Sequence, residues 1–391
     1  MSKRKIYIDG LGLVEGHFSG VGQYILGILR GIDELLDDAK QQGKETPRVR
    51  LIIPYNTVYK FRKFKFKHIE YKTFPMPFRY MVGFWYRGWM PPIDLWCGPG
   101  TYIFPRFVDM PLLFSKSSAL TIFDLSYELH REYSDEENAR FLSKRVCSSM
   151  ENADQIITIS ESAKKEIESF YKVQSNRVHV ATPAVDTRYF YKRSDEEIDE
   201  VKKKYGINTK KYILALSNLE PRKNLDGLID AYCMLSAKER SGTALVLVGV
   251  NGWKTEDLFR KIVSKVKDGY VIIRPSKYVS DADKPAILSG ASMLVYPSHY
   301  EGFGMPPLEA LACGTPVITA DNSSLPEVVK EAGIMVDSKD TAALSGAIRQ
   351  YLQNIDSVTK KAQIEGPERA LAFSWKESAK IYLSAAGVKE L

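Results

Sequence analysis

"SMLVYPSHYEGFGMPPLEALACGTPVITAD", residues 292–321, reads in four pieces. "SMLVYPS" is a short apolar strand and "HYEGFGM" a glycine-containing loop. Pro306 and Pro307 then open a helix, where their missing N–H groups cost nothing, and Gly314 closes it before the strand "TPVIT". Strand, loop, short helix and strand in succession make one unit of a parallel α/β sheet. The unit also carries two carboxylates, Glu301 in the loop and Glu309 about one turn into the helix, eight positions apart. A loop of backbone N–H groups ending at a helix N-terminus suits an anion or a hydroxyl-rich ligand. The plain alternative is a surface helix with two solvated acids. Two glycines and two prolines around spaced acids argue against it.

The same alternation extends in both directions. "KIYIDG", "VRLIIPY", "SALTIFDL", "DQIITIS" and "RVHVATP" read as strands of one series. In that series "SGVGQYILGILRGIDELL" reads as a Gly-rich turn opening an amphipathic helix. Ser194 and Glu197 form a capping box for "DEEIDEVKKKYG", which Gly206 closes, and a second series begins. Its strands are "KYILALSN", "TALVLVGV", "YVIIRPS", "SMLVYPS" and "PVITAD". At 391 residues the chain suits two domains. The prediction is two Rossmann-like, doubly wound α/β domains, 1–190 and 191–372, facing across a cleft, with a C-terminal segment 373–391. Ligands of such sheets sit beyond the carboxyl ends of the strands.

Fifty-five basic residues against 48 acidic ones, a net +7, are too diffuse to imply nucleic acid. The four cysteines have no C-x-x-C spacing, so neither a zinc site nor a disulfide framework is expected. "GLGLVEG" misses the dinucleotide fingerprint, and no phosphate-binding P-loop or H-E-x-x-H is present. The basic head of the chain is followed by Asp9 and Glu15, which is not a signal peptide, and no apolar run is long enough for a bilayer span. A cytoplasmic protein, at most peripheral on the inner face of the membrane, is expected. Asp281 and Asp283 form a D-x-D in "SDADKP"; helix capping and first-turn acid roles explain them better than a metal. In "LALSNLEPRKNLDGLIDAY", Arg222 and Lys223 stand beyond a strand's carboxyl end, where an exposed fork and point charge suit a diphosphate.

With these motifs quoted, the chain resembles the retaining glycosyltransferases of GT-B architecture, close to glycosyltransferase family 4. "EGFGMPPLE" matches that family's E-x7-E element. "LEPRKN", "SSLPEVV" at 323–329, "SGVGQYI" at 19–25 and the terminal "FSWKESAKIYL" support it. The resemblance implies a nucleotide-sugar donor held mainly by the second domain. Glu309 would accept hydrogen bonds from the ribose hydroxyls, and Glu301 with the backbone of Phe303, Gly304 and Met305 would hold the sugar and phosphates. Arg222 and Lys223 would neutralise the leaving diphosphate, and Gly20 and Gly22 would let the first domain's backbone approach the donor. The segment 373–391 would return to the first domain. Relatives have His-Asp where "TIFDLSYELH" has Phe123-Asp124, so Asp124 remains without its His, and His130 stands near in sequence. Where some branches have an Arg, this chain has Ser217, a gap that Arg222 could fill.

The implied chemistry needs no cofactor and no metal. Cations and a helix N-terminus stabilise the leaving diphosphate, which itself takes the acceptor's proton with retention of configuration. GDP-mannose is the favoured donor, with UDP-sugars next, and the acceptor is a glycan or lipid-linked sugar in surface polysaccharide synthesis. One rival is a glycoside hydrolase using Glu301 and Glu309; another is a non-catalytic carbohydrate-binding protein of the same fold. "KFRKFKFKHIEYK", residues 60–72, reads as a strand with a solvated Lys face, followed by a helix of core aromatics from Phe78 to Trp89. The sharper reading of the same stretch is contact with an anionic membrane.

Overall fold

The computed structural model describes residues 4–14, 20–115 and 117–388. Two compact units divide the chain. The first comprises residues up to 129, 136–183 and 374 onward; the second comprises 130–135 and 184–373. In the first unit, β1 (Lys5–Asp9), β2 (Arg48–Pro54), β3 (Ile69–Phe74), β4 (Thr101–Phe104), β5 (Ser117–Thr121), β6 (Gln155–Thr158) and β7 (Val178–Val180) form a seven-stranded sheet. Its order is β3-β2-β1-β4-β5-β6-β7, and its pairings are parallel. In the second unit, β8 (Tyr212–Leu216), β9 (Ala244–Val248), β10 (Ile272–Ile273), β11 (Met293–Tyr296), β12 (Val317–Ala320) and β13 (Ile334–Val336) form a six-stranded parallel sheet. That order is β10-β9-β8-β11-β12-β13. Each sheet is a doubly wound α/β sheet, as the two strand–helix series predict.

The central strands β8, β9, β11 and β12 are buried along their whole length, which is why each reads as an unbroken apolar run. Strands β3, β4 and β13 were not legible in this way. In β3, Arg48 and Arg50 of the neighbouring β2 pair with Glu70, so an edge strand is written in charges. The stretch 60–72 is therefore not one strand. Val58–Phe61 is helical, Arg62–Phe64 a 3-10 turn, and Lys65 takes a left-handed φ of 49° before β3 begins at Ile69. The expected capping box is present, Ser194 Oγ accepting from Glu197 N and Glu197 Oε2 from Ser194 N.

The helix Trp375–Ala385 lies in the first unit, against the helix Gly20–Gln41. Glycine makes the approach possible: a Cβ on Gly27 would fall 2.4 Å from the Trp375 ring, and one on Gly31 2.4 Å from the Trp375 carbonyl oxygen. Tyr382 hydroxyl pairs with Thr121 Oγ1 at 2.6 Å, and Ser378 Oγ donates to the Thr182 carbonyl at 2.6 Å. Phe123 is core: its ring meets Tyr24 edge-on at 5.3 Å and tilts on Phe107.

Candidate functional site

The strand order of the second unit reverses between β8 and β11, so the loops that leave these neighbouring strands diverge to opposite sides and leave a crevice at their carboxyl ends. The loop after β8 carries Ser217 to Asn224; the loop after β11 carries Pro297 to Gly304. They are fastened to each other by His299 N donating to Arg222 O at 2.8 Å and by Asn224 Nδ2 donating to Pro297 O at 3.2 Å. Asn224 sits at φ 52°, a left-handed conformation that Asn tolerates better than most residues. Ser217 ends β8 with its carbonyl oxygen 1.7 Å from where a Cβ on Gly249 would stand. Only glycine lets the loop after β9 pass there.

At this junction Lys223 Nζ donates to Glu301 Oε1 at 2.6 Å and to Tyr296 hydroxyl at 2.8 Å. Arg222 Nη1 donates to Glu301 Oε2 and to Tyr300 O, both at 3.1 Å, while Nη2 reaches Glu220 Oε1 at 2.9 Å. Glu220, Lys223 and Glu301 are buried and Arg222 half-buried. The exposed cationic pair expected from the sequence is thus neither exposed nor uncompensated. Two carboxylates balance two cations, because a buried charge without a partner would carry a heavy desolvation penalty. Burial alone would raise the Glu301 carboxyl, but the charges of Arg222 and Lys223 override it and hold it at about 2. Burial lowers Lys223, and Glu301 opposes that shift.

Ser323, at φ 49°, accepts from Glu301 N at 2.9 Å, and Ser324 Oγ donates to the carbonyls of Glu301 and Phe303 at 2.9 and 2.8 Å. Glu220, Tyr296, Ser323 and Ser324 are the site residues that sequence reasoning missed. The motifs "LEPRKN" and "SSLPEVV" contain three of them, but only the fold shows that they brace the loop. Gly304 precedes the helix Met305–Ala312 at φ 112°, and a Cβ there would meet Leu325 at 2.8 Å. Pro306 and Pro307 supply no N–H, so the helix start offers fewer donors than the loop's length suggests: those of Gly304 and Met305, after which Leu308 N bonds back to Gly304 O. The buried ring of Phe303 meets Phe373 edge-on at 5.4 Å.

Glu309 differs from Glu301 in kind. It is 9% exposed, and no described residue donates a hydrogen bond to its carboxylate. Burial pushes it up to about 7; Lys284 pulls the other way and Asp281 adds to the rise. Asp281 and Asp283 are first-turn acids of a short 3-10 helix, as expected, and Asp283 also stands at the N-cap position of the helix Lys284–Gly290; both are engaged in ion pairs. Asp281 pairs with Lys284 at 2.7 Å, and Asp283 accepts from Lys204 at 2.7 Å and Tyr205 at 2.6 Å. Neither caps the Lys284–Gly290 helix through its side chain.

Gly20, Gly22 and Asp124 belong to the first unit, the remaining expected site residues to the second. Gly20 begins the helix Gly20–Gln41, and a Cβ there would meet no described residue within 4 Å. Asp124 Oδ1 accepts from Ser126 N at 2.9 Å and starts the turn Ser126–Leu129. Residues 130–135, counted with the second unit, set His130 against Tyr300 at 4.5 Å and Tyr133 against His299 at 5.3 Å.

Residues 197–365 match the family described as glycosyl transferases group 1. The chain is 36% identical over 255 residues to the O-antigen chain mannosyltransferase B of Escherichia coli, covering 65% of this chain and 66% of that protein. It is 29% identical over 262 residues to the serotype-specific mannosyltransferase WbdA of Escherichia coli, 66% of this chain and 31% of that one. The match thus spans just under two-thirds of the first relative and under one-third of the second. Among solved structures, Anabaena HepE in complex with UDP superposes with a TM-score of 0.66 at 14% identity, over 98% of this chain and 99% of that one. The fold is shared over the whole length.

Proposed function

We propose that this chain, whose residues 197–365 match the glycosyl transferases group 1, moves a sugar, mannose before others, from a nucleoside-diphosphate donor to a glycan or lipid-linked acceptor of a surface polysaccharide. The observation that carries this reading is the unequal treatment of the two glutamates. Glu301 has one carboxylate oxygen held by Lys223 and the other by Arg222, so neither is free to act as the nucleophile or base that a glycosidase would need beside its acid. Glu309 is buried with no donor among the described residues and is suited to take the paired hydroxyls of a ribose. The mannosyltransferase names of the two Escherichia coli relatives support mannose and, with it, a GDP donor; the UDP bound to HepE keeps a UDP-sugar as the alternative.

In the proposed step the bond from the anomeric carbon to the diphosphate oxygen breaks, and its electron pair leaves with the diphosphate. The acceptor hydroxyl attacks from the same face and its proton passes to the departing phosphate, so configuration is retained and no side-chain nucleophile is needed. The Lys223 ammonium has three protons, two of them used by Glu301 and Tyr296. The third can meet the diphosphate where charge develops. Incubation with GDP-mannose, UDP-glucose or dTDP-glucose and an oligosaccharide acceptor, in EDTA, tests this. Release of GDP with an α-linked product is expected. Turnover only with a divalent ion, or hydrolysis of the oligosaccharide without any nucleotide, would overturn it.

A further inference from the structure

Residues 58–87 of the first unit contain eight Lys or Arg and a single acid, Glu70, as large an excess of positive charge as the whole chain carries. Arg62, Lys63, Lys65 and Lys67 are exposed, with the half-buried rings of Phe64 and Phe66 stacked at 5.9 Å between them. The left-handed turn at Lys65 breaks the helix and keeps this segment at the surface. Lys67 is paired with Asp37 at 2.9 Å, and Lys63 lies over the Phe64 ring.

Beside this stretch lies an unusual number of exposed apolar side chains. Tyr59, Tyr80, Phe84, Trp89, Trp96 and Phe114 are all exposed, Trp89 by 70% and Phe114 by 60%. Two cavities lie at the two ends of the helix Phe78–Arg87. One of about 420 Å³ brings Tyr59 and Lys60 together with Pro77 and Arg79 at the start of that helix. The other, of about 610 Å³, brings Gly88 at its end together with Leu112, Lys144 and Arg145. Buried Asp94 then accepts from the N–H groups of Leu113, Phe114 and Ser115, at 2.9, 2.7 and 2.8 Å. That clamp holds Leu113 and Phe114 out to solvent next in the fold to Leu95 and Trp96. So many large apolar side chains exposed within one part of one unit call for a use.

We propose that this face of the first unit rests on an anionic lipid bilayer. Arg62, Lys63, Lys65 and Arg79 meet headgroup phosphates, Lys144 and Arg145 draw a phosphate toward the larger cavity, and Trp89, Trp96 and Phe114 settle at the interface. Charge complementarity selects anionic lipid. The exposed aliphatics Leu95 and Leu113 favour a bilayer, whose hydrocarbon edge takes aliphatics and rings alike, over a single-stranded nucleic acid held by ring stacking and cations. No helix among the described residues is long and apolar enough to span a membrane, so the contact is peripheral. The inference stands apart from the sugar-transfer reading, since all its residues lie in the first unit.

The test is co-sedimentation with vesicles of phosphatidylglycerol and phosphatidylcholine in equal parts, against phosphatidylcholine alone. Binding to the anionic vesicles is expected, weakening with salt. The combined variant Lys63→Glu, Lys65→Glu, Arg79→Glu should lower affinity on the order of a hundredfold. Trp89→Ser with Phe114→Ser should lower it on the order of tenfold with little change in salt dependence. All five positions are exposed, and an unchanged circular dichroism spectrum and melting temperature would show that the variants fold. A protein left in the supernatant at low salt, variants that bind as well as the parent, or binding to heparin without binding to vesicles would each overturn the proposal.

Discussion

Glu309 is held between two requirements. Burial favours its protonated form, whereas a ribose diol is best accepted by the carboxylate. With the group pushed up to about 7, nucleotide affinity should rise as pH goes from 6 to 8, which calorimetry would show. Glu309→Gln should lose about 1.5–3 kcal/mol of that affinity and flatten its pH dependence. The sign for stability is opposite. A carboxyl raised in the folded state stabilises fully below its ordinary value, and that contribution is lost as pH rises through about 7. The unliganded protein should therefore lose roughly 3 kcal/mol between pH 5 and 8 from this group, and Glu309→Gln should lose less. Lys223→Ala makes a contrasting case. It strands buried Glu301 and Glu220 against one remaining cation, so a destabilisation of about 3–5 kcal/mol is expected alongside lost turnover. If Lys223→Ala melts with the parent while turnover falls, the buried ion pairs count for less than their geometry implies.

At the level of elements, the helix Gly20–Gln41 and the helix Trp375–Ala385 are fitted to each other by absence of side chains. Gly27→Ala would drive a methyl into the Trp375 ring. A loss of about 1–3 kcal/mol follows, most of it recovered by adding Trp375→Leu. Additive losses in the double variant would show that the contact is not the cause. Gly304→Ala combines a φ of 112° with a collision at Leu325, and should cost about 1–3 kcal/mol while disturbing the loop that carries Glu301. Its glycine was readable as a loop signal; its partner Leu325 was not.

For the whole molecule, the C-terminal helix is counted with the first unit although the second unit precedes it in the chain. Ending the chain at Phe373 should uncover Tyr24, Thr121 and Gly27, and the first unit's thermal transition should broaden and fall. The second unit keeps its own apolar core of β8, β9, β11 and β12 with the surrounding helices, so GDP or UDP should still bind. Loss of nucleotide binding on this truncation would show that the second unit does not fold alone.

The sequence by itself determined what depends on near neighbours in the chain. Alternation of apolar runs with capped helices marked two α/β series, because parallel strands buried on both faces must be apolar throughout. Proline, glycine and two glutamates at fixed spacing marked one loop and helix start, because backbone geometry admits few other residues there. Edge strand β3 was legible only as part of a longer strand over 60–72, since its charged residues give no apolar run to mark where it begins, at Ile69 beside β2. Only the tertiary structure decided that Arg222 and Lys223 are paired with Glu301 and that Glu309 receives no hydrogen bond from a described residue. Those outcomes follow from the order of strands around β8 and β11, which brings together loops about eighty residues apart. Electrostatic character belongs to such long-range neighbours, and no local pattern of residues encodes it.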